Sequence, residues 1–143
     1  MLSNTSKYAI RAVIYLTLYS SAEKKVGIKE ISSQLDIPTP FLGKILQLLA
    51  KQNILKSTKG PHGGFSLKKT AMDISIMEII EIIDGSDSFD VCVIRTSKCS
   101  HDTPCSLHDK ISPLRSEMKN IYITETVANL AAEFRQDKDR IRI

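Results

Sequence analysis

Cysteine is scarce in this 143-residue chain, which has three, an odd number that cannot close a disulfide framework. Long hydrophobic runs are missing too: none approaches the roughly 20 apolar residues a membrane helix needs. The opening stretch, MLSNTSKYAIR, lacks the basic region, apolar core and small-residue cleavage site of a secretory signal. These absences predict a cytoplasmic protein with no membrane attachment. Thiols stay reduced there, and clustered cysteines bind metal or do redox work more often than they form bridges. No repeat, low-complexity tract, nucleotide-binding glycine fingerprint or nucleophile–base pair is present, which argues against an enzyme. Acidic residues are also missing from one long stretch, with none between Asp36 and Asp73.

What is present is an ordinary globular composition, 42% hydrophobic and 25% charged, on a chain long enough for one domain or two small ones sharing a core. The acid-free stretch holds Lys44, Lys51, Lys56, Lys59, Lys68 and Lys69. Such a run of one sign makes a face suited to a polyanion.

Hydrophobic spacing predicts a first helix over 5–21, with its tyrosines packing in the core, and a short helix over about 28–35. The segment DIPTP breaks the chain before a helix over about 40–52. Thr39 is expected to cap that helix, with Pro40 in its first turn. Phe41, Ile45, Leu48 and Leu49 are expected to point inward. Thr39, Lys44, Gln47 and Lys51 then share the outer face. Gly43 near the helix start would let another surface approach closely. This is a helix-turn-helix pattern whose second helix carries polar and basic residues outward. "ILKS" and "FSL" flank the glycine-rich TKGPHGG and predict a hairpin decorated by Lys56, Lys59, His62, Lys68 and Lys69. A basic hairpin directly after a helix-turn-helix is a wing, able to reach phosphates beside the groove that the helix reads.

A further helix starts at DISIMEII. Ser75 and Glu78 form a capping box, Ile74 and Ile79 a hydrophobic staple, and Gly85 ends the helix. A long helix over about 108–122 carries Ile111, Leu114, Met118 and Ile121 at the spacing of a helix–helix seam, with Pro113 tolerable near its start. A last helix, 125–134, is expected to begin at a Thr124 cap, with a frayed tail over 135–143.

All the cysteines fall in one polar loop, about 86–107. Six residues separate Cys92 from Cys99, five separate Cys99 from Cys105, and His108 stands three past Cys105. Zinc ribbons and fingers use tighter pairs. Wide spacing means that the loop wraps around something, and a cluster of several metal ions suits that better than one tetrahedral zinc. Iron–sulfur clusters take thiolates, and histidine can replace cysteine. A purely structural metal with constitutive DNA binding, and free thiols that sense oxidants directly, are the alternatives.

Several segments together resemble the IscR/NsrR/CymR family of bacterial winged-helix regulators. They are SKYAIRAVIYL, the stretch from IKEISSQLDIPTP to the wing at GPHGGFSL, ISIMEIIEIIDG, and the three cysteines followed by SLH. The likeness covers residues 1 to about 134. It implies a mostly α fold: a winged helix-turn-helix over 1–73 with a small two-stranded wing, then a cluster loop and dimerisation helices over 74–134. It implies a homodimer on double-stranded DNA and an iron–sulfur cluster near the dimer interface, 2Fe-2S in preference to 4Fe-4S. The implied ligands are Cys92, Cys99 and Cys105, with His108 at the position of the fourth. The first cysteine gap is one residue longer than in the best-known members. Some nitric-oxide-sensing members instead recruit an aspartate from the first helix of the partner subunit; the matching position here is Lys7, which cannot ligate when protonated and so disfavours that fourth ligand without excluding a 4Fe-4S cluster. His101, inside the short link between Cys99 and Cys105, is not expected to ligate, because a third ligand there would strain the turn. The expected function is a sequence-specific regulator, repressor or dual, whose DNA affinity the cluster sets. DNA contacts are expected from Thr39, Lys44, Gln47 and Lys51 on the helix and from Lys56, Lys59, His62 and Lys68 on the wing. Ile111, Leu114, Met118 and Ile121 are expected to hold the dimer.

Overall fold

The computed structural model describes residues 2–136. In chain order its elements are α1 (Asn4–Tyr19), α2 (Ile28–Leu35), α3 (Thr39–Lys51), β1 (Leu55–Thr58), β2 (Gly64–Leu67), a 3-10 turn (Ala71–Asp73), α4 (Ile76–Asp84), α5 (His108–Thr124) and α6 (Val127–Gln136). This is a mostly α, winged helix-turn-helix fold.

Helix α1 is the central strut. Ser3 caps it by accepting from Ser6 N, and its buried face carries Ala9, Ala12, Val13 and Leu16. Helices α3, α4 and α6 pack around it. Tyr15 is buried at the same face, whereas Tyr19 is exposed. The Tyr15 hydroxyl bonds Glu30 of α2 at 3.1 Å, and burial together with that carboxylate raises its pKa to about 12. Arg11 of α1 donates to Leu35 O at 2.8 Å, satisfying a carbonyl at the end of α2. Asp36 then takes a left-handed backbone, φ 52°, and turns the chain toward α3.

Helix α3 departs from the expected orientation. Leu42, Ile45, Leu46 and Leu49 are buried, while Phe41 and Leu48 are exposed. Both stripes are apolar at helical spacing and they share Ile45 and Leu49, so periodicity alone does not choose between them. The fold uses the one that faces α1 and α4. Thr39 is not the cap. Pro38 holds that position, and the Thr39 hydroxyl donates to Ser32 Oγ at 2.9 Å. The close approach at Gly43 is to α2: a Cβ there would lie 3.3 Å from Ile28 Cδ1.

β1 and β2 form an antiparallel hairpin in which Leu55 faces Leu67 and Ser57 faces Phe65. Val26 adds a rung on the other edge of β2, exchanging backbone bonds of 3.0 and 2.8 Å with Phe65. Gly64, at φ 143°, makes that rung possible, since a Cβ there would sit 2.5 Å from Val26 O.

Ser75 caps α4 as expected, accepting from Glu78 N at 3.1 Å, and Ile74 and Ile79 are fully buried. The other half of the capping box is absent. The Glu78 carboxylate pairs with Lys69 at 2.8 Å, which removes that lysine from the free charges of the hairpin. Helix α5 passes through Pro113 without a break. Thr124 is its last residue and bonds back to Asn120 O, so it does not cap α6. The hydroxyl near the start of α6 is that of Thr126, which accepts from Asn129 N at 3.2 Å. Arg135 and Gln136, expected in a frayed tail, are helical; the remainder of that expected tail lies outside the described residues.

Candidate functional site

Two groups of residues singled out by the sequence come together in the structure. The first lies on α3 and the hairpin. Lys44, Gln47 and Lys51 are exposed along one face of α3, and Phe41 and Leu48 share it. Lys56, Lys59, His62 and Lys68 are exposed on the hairpin. Lys68 is partly committed, donating to Asn53 Oδ1 at 2.7 Å. Thr39 is half-buried at the edge of this face, with its hydroxyl turned to Ser32.

The second group is the loop between α4 and α5. A bridge between Val91 and Lys98 folds its first arm back on itself, and Cys92 N donates to Ser97 O at 3.0 Å. Arg95 reaches across to Thr103 O, joining the two arms. Helix α5 pins the loop from one side. Arg115 donates to Val91 O at 3.0 Å, and Lys119 stands 3.9 Å from Asp90. His108, Arg115 and Lys119 recur at steps of seven and four on α5. That spacing was the available signal for the two basic residues, and the sequence reading missed it.

Within this frame Cys92 is buried, while Cys99 and Cys105 are half-buried; all three are free thiols. Cys92 lies against Cys105. Backbone N–H groups of Arg95 and Ile94 aimed at its sulfur, helped by the Cys105 thiol, lower the Cys92 pKa to about 7. Cys99 Sγ stands 3.2 Å from His108 Nδ1, and His108 is only 5% exposed. His101 closes the group, its Nδ1 3.0 Å from His108 Nε2. Lys7 is exposed on α1, near enough to Asn4 for a 3.5 Å contact.

Among the described residues, no three His, Cys, Asp or Glu side chains are grouped to hold a single metal ion. The donors are arranged as pairs, Cys92 with Cys105 and Cys99 with His108. A binuclear iron–sulfur cluster takes two protein ligands on each iron, so three thiols and an imidazole arranged in two pairs suit it better than they suit one zinc.

The seam residues of α5 divide. Met118 packs against the chain's own core and Ile111 is half-buried, but Leu114 and Ile121 are 59% and 52% exposed. Ile111, Leu114 and Met118 line an apolar groove of about 440 Å³ whose other wall includes Phe89, Val91 and Cys92.

This architecture has counterparts among known proteins. Residues 2–133 match the Rrf2 family model, described as an iron-dependent transcriptional regulator. The chain belongs to the Rrf2 family. Its relatives include a candidate HTH-type transcriptional regulator of Aquifex aeolicus, 36% identical over 130 residues, covering 90% of this chain and 89% of the relative. The HTH-type transcriptional regulator IscR of Pectobacterium atrosepticum is 30% identical over 148 residues, covering 99% of this chain and 89% of that one. Of solved structures, CymR, the global cysteine regulator of B. subtilis, superposes with a TM-score of 0.77 at 20% identity, over 93% of this chain and 97% of that one. IscR of T. potens superposes at 0.70 with 18% identity, over 100% of this chain and 93% of that one. These two likenesses establish the winged-helix fold. As an Rrf2-family protein the chain is a DNA-binding transcriptional regulator and not an enzyme. No described helix is long and apolar enough to cross a membrane.

Proposed function

We propose that this Rrf2-family regulator is a homodimer whose affinity for operator DNA is set by an iron–sulfur cluster held by Cys92, Cys99, Cys105 and His108. One observation carries the reading. His108 is the only buried residue of α5, and it is buried against Cys99. A buried imidazole facing a thiol, with two more thiols in the same loop, is a donor set without a purely structural role that the packing explains.

Residues of α3 enter the major groove. Lys44 and Gln47 contact base edges, Phe41 and Leu48 offer apolar contact to thymine methyls, and Thr39 and Lys51 flank them. Lys56, Lys59, His62 and Lys68 lie along phosphates. Leu114 and Ile121, exposed in one chain, meet their counterparts in the second copy. Burying each contributes about 1.5–3 kcal/mol.

When bound, the cluster supplies a charge and an oxidation state that respond to redox poise, nitric oxide or iron–sulfur supply. The chain converts that response into position. His108, Arg115 and Lys119 all stand on α5, so a loop that tightens or slackens moves the element that sets the distance between the two α3 helices. Coupling of about 1–3 kcal/mol is enough to change operator occupancy several-fold. Protein purified without oxygen should contain about two irons and two sulfides per chain. Apo and loaded protein should differ in operator affinity. Replacing His108 with alanine should destabilise the cluster and change its absorbance. Equal affinity of the two forms would reduce the metal to a structural role.

A second reading has its own observation, the lowered pKa of Cys92 beside Cys105. Peroxide would oxidise the Cys92 thiolate to sulfenic acid, releasing water or hydroxide. Cys105 would then displace a second water to form a disulfide. A mass decrease of about two protons in peroxide-treated apo protein, with a change in DNA affinity, would favour it.

A further inference from the structure

His101 lies in the link between Cys99 and Cys105 and is exposed, whereas His108 is buried. The two rings nevertheless meet edge to face, with centroids 4.5 Å apart and planes at 82°. Asp102 N donates to Ser100 Oγ at 3.1 Å, making the tight turn that carries His101 toward α5. Both nitrogens of the buried ring are therefore engaged, Nδ1 by Cys99 Sγ at 3.2 Å and Nε2 by His101 Nδ1 at 3.0 Å.

A neutral imidazole carries its proton on one nitrogen only, and the other is free to accept or to ligate. Metal-binding histidines almost always donate their second N–H to a neighbouring acceptor. That bond fixes the tautomer and the plane of the ring. Among the described residues, His101 is the one group placed against His108 Nε2. With His101 accepting there, the proton of His108 sits on Nε2, and the lone pair of Nδ1 points to the side where Cys99 stands.

We infer that His101 is a positioning residue: it accepts the Nε2–H of His108 and so selects Nδ1 of His108 as the nitrogen that binds iron. The inference rests on the cluster reading above. His101 is not itself a ligand, because its own Nδ1 lone pair is used by His108. It also ties the link between Cys99 and Cys105 to the first residue of α5, so that two separate stretches of the loop hold one ring.

The test compares wild type with His101→Ala and His101→Asn, each reconstituted without oxygen. Asparagine places an amide oxygen near the position of histidine Nδ1 and keeps the acceptor. The readouts are the rate of cluster extraction by a chelator and the nitrogen hyperfine spectrum of the reduced cluster, with histidine labelled at Nδ1 alone. Wild type should show strong coupling to the labelled nitrogen. His101→Ala should lose its cluster about 10- to 100-fold faster, with altered coupling, and His101→Asn should restore both. Wild-type extraction and coupling in His101→Ala would overturn the inference. So would coupling to Nε2 in wild type, or failure of asparagine to rescue a defective alanine variant. Wild type that takes up no iron and sulfide fails differently: it overturns the cluster reading itself.

Discussion

The winged-helix body and the arm made by the cysteine loop and α5 are built on different terms. In the body, each helix buries a stripe. Helix α1 alone contributes Ala9, Ala12, Val13 and Leu16 with no exposure at all, and Leu42, Leu46 and Leu49 of α3 meet them at the same core. In the arm, a helix of 17 residues buries only His108 completely. Its large apolar side chains Leu114, Ile121 and Ile123 are more than half exposed, as are Val91, Val93 and Ile94 in the loop before it. Apolar burial within one chain accounts for the first region. The second is anchored to the body by Phe89, Met118 and Tyr122, and the rest of its shape comes from a few polar pins, Arg115 to Val91 O and His108 to Cys99 among them. Such an element carries stability only when something else covers it.

The sharpest way to break this contrast is on the outer face of α5. The double variant Leu114→Lys, Ile121→Lys should sediment as a monomer and lose operator binding, while its circular dichroism stays that of a folded winged helix. A variant that still sediments as a dimer would remove α5 as the interface. Within the body, Leu46→Ala should cost about 2–5 kcal/mol in urea unfolding, because it leaves a cavity in a closed core. Leu48→Ala, on the other side of the same helix and 37% exposed, should change stability by no more than about 0.5 kcal/mol and act on DNA affinity instead. Equal effects would mean that α3 buries a different face.

The proposed DNA face offers a finer distinction. Lys59→Ala should lower the slope of log affinity against log salt by about 0.9 and weaken all sequences alike. Changing Lys44 or Gln47 should shift preference among sequences. Unchanged slope and affinity in Lys59→Ala would displace the wing from the phosphates.

The smallest effect lies where body and arm join. Asp84, the last residue of α4, accepts from Ser3 N at 3.1 Å and from the Ser3 hydroxyl at 2.5 Å. Partial burial alone would raise its pKa, but these bonds outweigh it and hold the carboxyl below its usual value. A carboxylate with a depressed folded pKa stabilises fully above its unfolded pKa, and that stability is lost as pH falls through the folded value. Ser3→Ala should therefore cost about 1 kcal/mol at neutral pH and progressively less in acid. A cost independent of pH would assign it to the lost cap of α1.

Several features of the body were legible because they depend on local chemistry. Ser75 can cap only the helix directly after it, Gly85 ends α4, and the glycine-rich hairpin needs nothing distant to form. Caps that depend on distant partners misled. Thr39 found Ser32 and Glu78 found Lys69, competitors that sequence spacing does not reveal. In the cysteine loop, the residue types and their wide spacing suggest the donor set proposed above. Spacing alone left His101 aside, although its ring lies directly on His108.

Sequence alone determined the elements, the positive hairpin and the gathering of thiols, since composition and short-range periodicity decide those. Tertiary structure decided which of two apolar stripes α3 buries. Large apolar side chains span nearly half the circumference of that helix, wider than the stripe one packing face needs, and only the position of α1 and α4 selects among them. It also decided how the donors pair, Cys92 with Cys105 and Cys99 with His108, because that depends on how a loop with little regular structure closes over α5. Closure of that kind is set by long-range contacts, Arg115 to Val91 and Arg95 to Thr103, which no local propensity encodes.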